Sequence, residues 1–170
     1  MEEDIIGGIM EKKKIYLAGS CAKDSLEFDT RRFMESIALC LRLYKEGNET
    51  YCPFELKISD AWLMSQEDWS QAVFDKDKEA IDNCDVFLMI SPGRNSSAGT
   101  NFEEGYAYAI HKHIIVLQYT EDDTSLMAFC GTTIFKNTNE KDIYKDMIDA
   151  LNMTEEDLKS YKKVCTTVLT

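Results

Sequence analysis

The chain has 170 residues, 44% of them hydrophobic, and a formal net charge of -12, which suits one globular domain with a sizeable core. That charge argues against a nucleic-acid partner, since phosphate neutralisation needs a basic face. A small neutral or cationic ligand fits it, and an anionic one would need local backbone amides or an Arg.

Residues 1–11 are acidic with a short apolar stretch, too short for an export signal or membrane span. They read as a flexible N-terminal extension ahead of one domain, 12–170, and the protein is expected in the cytoplasm, off the membrane. Lys14-Ile-Tyr-Leu-Ala-Gly19 is a first strand ending in a glycine turn. From about Ser25 to Lys45, Phe33, Ile37, Leu41 and Tyr44 recur at helical spacing. Thr50–Phe54 is a short second strand, and 55–64 a loop carrying Trp62 that is long enough to fold over a pocket. Ser65-Gln-Glu-Asp68 caps a helix running to about Asn83. The apolar run Val86–Ile90 is a buried strand, followed by the small, polar segment Asn95-Ser-Ser-Ala-Gly99 and a helix opened by Thr100. His113–Tyr119 and Thr132–Phe135 are further strands, followed by helices at Glu140–Leu151 and Thr154–Lys163.

Strands alternating with helices imply a parallel sheet covered on both faces. The fold class is α/β: a single-domain, flavodoxin-like, doubly wound, mostly parallel five-stranded sheet with helices on both faces. Cys40, Cys84 and Cys130 sit in apolar patterns and read as core. Six Cys without a Cys-x-x-Cys pair and only two His offer little to a metal, and no cofactor is expected.

Two carboxylates stand out. On the 67–83 helix, Trp69, Val73, Ala80, Ile81 and Cys84 form an inward stripe, and Asp77 falls in its middle. A carboxylate there needs a partner or a pocket; the alternative is that it caps a loop or pairs with a Lys. Glu103 lies in the first turn of a helix that begins just past a buried strand, where open parallel sheets bind ligands. Thr100-Asn-Phe-Glu103 also fits a capping box, which would tie Glu103 to the helix start. Glu104 points elsewhere, to solvent. Two carboxylates converging on one pocket point to glycosidic-bond chemistry.

Ile15-Tyr-Leu-Ala-Gly19, Asp77 ahead of Asn83-Cys-Asp85, and Gly99-Thr-Asn-Phe-Glu-Glu-Gly-Tyr-Ala107 together resemble the nucleoside 2-deoxyribosyltransferase family over about residues 14–135. The resemblance makes Glu103 the nucleophile that captures C1′, Asp77 the residue that meets the base, and Tyr16 the hydroxyl that orients Glu103. It implies base exchange between a 2′-deoxynucleoside and a free nucleobase through a covalent deoxyribosyl-glutamate, with retention of configuration. It also places Gly19, Ser20, Asn95, Ser97 and Gly99 around the sugar. Ser125-Leu-Met127 matches a segment that completes a neighbouring subunit's pocket, so a homo-oligomer is expected; for Met127 the alternative is plain core packing. The family's transferases carry an Asp at the position of Ser97. A serine there resembles the related 2′-deoxynucleoside 5′-monophosphate N-glycosidases, with Ser96, Ser97 and Gly99, and Arg94 nearby, as an anion site. A non-catalytic nucleotide-binding module is the third alternative.

Overall fold

The computed structural model describes residues 12–19, 30–44 and 47–164. Its centre is a five-stranded sheet of β1 (Lys14–Gly19), β2 (Glu49–Tyr51), β3 (Val86–Ser91), β4 (His113–Gln118) and β5 (Ile134–Asn137). The order is β2-β1-β3-β4-β5 and every pairing is parallel, the flavodoxin-like arrangement, with no antiparallel strand among the described residues. The chain leaves β1 for β2 on one side and then crosses over to β3 on the other. The direction of winding therefore reverses between β1 and β3, which opens a crevice at their carboxyl ends.

The period of two along the strands divides the core. Ile15, Leu17, Val86, Leu88, Ile90, Ile115 and Leu117 pack against α1 (Thr30–Leu43) and α5 (Ile143–Leu151). Tyr16, Ala18, Phe87, Met89, Ile114 and Val116 face the opposite layer, built from α2 (Gln66–Asn83), α3 (Ala98–Ala109) and α4 (Leu126–Gly131). Runs such as Val86–Ser91 are buried at every position, as expected for strands covered on both faces. The three candidate residues Tyr16, Asp77 and Glu103 all belong to the second layer.

Several elements differ from expectation. The second strand stops at Tyr51, since Pro53 has no N–H for a ladder and opens a 3-10 turn, Pro53–Glu55. The fifth begins at Ile134, and the following helix at Ile143, because Asn139 turns its side-chain oxygen onto the amides of Lys141 and Asp142. The last helix, α6 (Glu155–Ser160), is closed by a Thr154–Asp157 capping box and ends three residues short of Lys163. Helix α4 was not anticipated; Ser125 caps its amino end, and its packing leaves Cys130 exposed rather than in the core. No helix among the described residues is long and apolar enough to cross a membrane.

Candidate active site

A cavity of about 470 Å³ lies between α2 and α3, and the Asp77 and Glu103 side chains both line it. Ser65 starts α2 by accepting from the Asp68 amide at 3.0 Å. The apolar stripe of α2 then divides into two parts. Ile81 and Cys84 at its carboxyl end are buried, whereas Trp69 and Val73 at its amino end overhang the cavity with Phe74. Asp77 sits where core gives way to cavity, which is why a carboxylate is tolerated inside the stripe. Across the gap the Phe102 ring meets Phe74 at 6.1 Å between centroids, so the walls are largely aromatic, and among the described residues the polar side chains in the lining are the two carboxylates, Ser70, Lys78 and Tyr106. Lys78 lines this space while paired to Asp82 at 2.7 Å.

Helix α3 begins earlier than expected, and this frees Glu103. Ser97, not Thr100, is the N-cap, its hydroxyl accepting from the Thr100 amide at 3.1 Å. Thr100 is buried and donates through its own hydroxyl to the Gly19 carbonyl at 3.1 Å. That bond ties the first turn of α3 to the end of β1. The expected Thr100–Glu103 capping box is therefore absent. Glu103 instead stands one turn further in, half-buried, and faces the cavity.

Each carboxylate has a tyrosine beside it. Tyr16, fully buried on β1, has its hydroxyl next to Glu103 without closing a hydrogen bond of ordinary geometry. Tyr51, on β2, donates to Asp77 Oδ1 at 2.6 Å. Burial, then the nearby Asp77 charge, pushes Glu103 up to about 7, while the Tyr16 hydroxyl pulls it down. Burial also raises Asp77, and the Tyr51 bond opposes it. Such paired, environment-shifted carboxylates are what acid–base and nucleophilic work requires. Tyr51 had no mark in the sequence beyond its place in a short strand.

The remaining candidates scatter. Gly99 lines the cavity with Glu103, and a Cβ there would meet nothing nearer than the Ser97 hydroxyl at 3.9 Å, so it leaves open space on the cavity side. Gly19 lies at the end of β1 under the α3 start, where a Cβ would fall 2.5 Å from Met34 Cε. Asn95 turns away, its amide donating to Asp122 at 3.2 Å. Ser20 lies outside the described residues. Trp62 is 80% exposed and does not line the cavity; the indole that does is Trp69.

Ser125 and Met127 belong to a second cleft, of about 280 Å³, between α3 and α4. Met127 is 84% exposed, which rules out core packing, and within one subunit α3 separates it from the Glu103 cavity. Glu104, expected in solvent, is buried at the bottom of this second cleft. Among the described residues no group of three or more His, Cys, Asp or Glu could hold a metal.

The family model for nucleoside 2-deoxyribosyltransferase matches residues 15–160. Among solved structures, a 2-deoxyribosyltransferase from Bacillus psychrosaccharolyticus superposes with a TM-score of 0.64 at 23% identity, over 85% of this chain and 94% of that one. A CMP N-glycosidase from Clostridium botulinum gives 0.52 at 21% identity, over 81% and 99%. A conserved protein from Enterococcus faecalis gives 0.50 at 21% identity, over 87% and 79%. At these identities the structures speak to the fold alone. No curated protein sequence matches the chain significantly.

Proposed function

The chain belongs to the nucleoside 2-deoxyribosyltransferase family, and from that premise we propose that it exchanges the base of a 2′-deoxynucleoside for a free purine or pyrimidine. The observation that carries this reading is the convergence of Glu103 and Asp77 on one aromatic-walled cavity. Glu103 in its ionised form attacks C1′ as the C1′–N bond breaks, giving a deoxyribosyl ester and the free base. Asp77 supplies the proton that the departing base takes up. The incoming base then attacks C1′ from the side the first one left, returns a proton to Asp77 and releases Glu103. Two displacements retain configuration, and water in place of the second base gives slow hydrolysis. Phe74 and Phe102 offer faces on which a planar base stacks. A neighbouring copy of the chain would bring its Ser125–Met127 segment to this cavity, since Met127 is largely exposed and cannot reach Glu103 of its own subunit.

A second reading, hydrolysis of a 2′-deoxynucleoside 5′-monophosphate, is favoured by one observation. Ser97 puts a neutral N-cap, not a carboxylate, at the start of α3, where an anion meets the positive helix end without repulsion.

A chromatographic assay separates the readings: 2′-deoxyinosine plus adenine, 2′-deoxyinosine 5′-monophosphate alone, and Glu103→Ala as control. Deoxyadenosine formed by the wild type and not by the variant upholds base exchange. Base loss from the monophosphate only upholds the hydrolase. Binding without turnover in any well would leave a nucleotide-binding module.

A further inference from the structure

We infer that Tyr51 is a positioning residue for Asp77, holding one carboxylate oxygen so that the other is presented to the base. The inference rests on the role proposed above for Asp77, and its geometry is independent of that role.

Tyr51 ends β2 and lies opposite Tyr16 in the parallel register, so both rings leave the same face of the sheet. They stack at 5.4 Å between centroids, and Tyr16 stacks in turn on Phe87 at 5.3 Å. Three rings from three adjacent strands thus form a row under α2 and α3. Tyr16 and Phe87 are fully buried, which leaves Tyr51, at the end of the row, little freedom to turn. Its hydroxyl donates to Asp77 Oδ1 at 2.6 Å, a short O–H···O bond. No described residue hydrogen-bonds the second oxygen, Oδ2.

Tyr51 reaches Asp77 from behind. It lines a shallow depression with Ile15, Ala80 and Cys84 on the far side of α2, and it is not part of the lining of the aromatic cavity. It therefore acts on substrate only through Asp77. Burial and its carboxylate neighbour push the Tyr51 hydroxyl well above the ordinary tyrosine range, so it remains a donor at every working pH. A permanent donor keeps Oδ1 as an acceptor, so the proton that Asp77 supplies to the base is carried on Oδ2, while the same bond opposes the burial that raises the carboxyl. The sheet register thus gives each carboxylate its own tyrosine, Tyr16 for Glu103 and Tyr51 for Asp77, with the stacked rings fixing their spacing.

The test is Tyr51→Phe, which keeps the ring and the stack. In base exchange, kcat falls about tenfold with KM for the donor nucleoside little changed, because Asp77 loses the bond that orients it towards the base. The limb on which activity falls as Asp77 loses its proton moves to higher pH, because the Tyr51 bond no longer lowers that carboxyl. A residue that merely packs would lower stability without moving that limb. In parallel, denaturant unfolding at pH 8 of Tyr51→Phe, Asp77→Asn and the double variant closes a thermodynamic cycle that needs no substrate. Coupling in the cycle together with a displaced limb supports the inference. If no form turns over any substrate, coupling still supports the pairing and the failure falls on the proposed activity. An additive cycle, or an unmoved limb in an active enzyme, overturns it.

Discussion

Glu103 and Glu104 are neighbours on α3, and they enter different clefts on its two sides. Glu103 is half-buried and Glu104 buried, and both are pushed up to about 7 with burial as the first cause. The surroundings differ. Glu103 shares its cavity with a second carboxylate and lies beside the buried hydroxyl of Tyr16, whereas Glu104 has its Oε1 buried with no partner in a cleft lined by Tyr108, Ser125 and Met127. A displaced pKa is therefore no mark of chemistry by itself. What separates the two clefts is convergence: among the described residues only the one on the Glu103 side has a second carboxylate, as the proposed chemistry requires.

The largest effect that would break this contrast is Glu103→Gln, expected to lower base exchange by about a thousand-fold or more. Intact-mass analysis after brief exposure to donor nucleoside should show a deoxyribosyl adduct on the wild type and none on the variant; an adduct on the variant would move the nucleophile elsewhere. In the wild type, kcat/KM should rise with pH through about 7, since only the ionised carboxylate attacks. Asp77→Asn should cost about a hundred-fold or more, with a smaller loss for donors whose base departs readily; an equal loss for all donors would argue against proton management.

Glu104→Gln tests the other side of the helix. Its proton is held to higher pH in the folded chain than in the unfolded one, where an ordinary glutamate titrates near 4.5. Stability from this group is therefore greatest below that value and declines as pH rises towards about 7. The variant lacks the decline, so it should exceed the wild type by about 2–3 kcal/mol at pH 8 and by nothing at pH 4, measured by denaturant unfolding. A gain at pH 4 as well would mean that repacking, not charge, is responsible. The smallest expected effect is that of Tyr16→Phe, about tenfold on kcat, with the ring stack and stability retained.

The sequence carried the alternation of strands and helices, and with it the sheet and the switch point, because long apolar runs and the stripe of α2 are strong local signals. It also carried Asp77, an acid inside an apolar stripe. It could not choose the start of α3, since Ser97 and Thr100 are both cap-forming residues three apart and only the Gly19 carbonyl, distant in sequence, draws Thr100 inward. Nor could it foresee the burial of Glu104, which depends on α4, a six-residue helix too short to leave a period. Tyr51 was hidden for a third reason: its role exists only through the β1–β2 register and a bond to a residue 26 positions away.

The position of Trp69 has an optical consequence. The chain has two tryptophans, one at the wall of the aromatic cavity and the other, Trp62, 80% exposed. Replacing Trp62 with Phe leaves a single indole whose emission reports from inside the site. A planar base arriving there excludes water from that indole and stacks near it, so occupancy becomes visible in the intrinsic fluorescence without a label and without turnover.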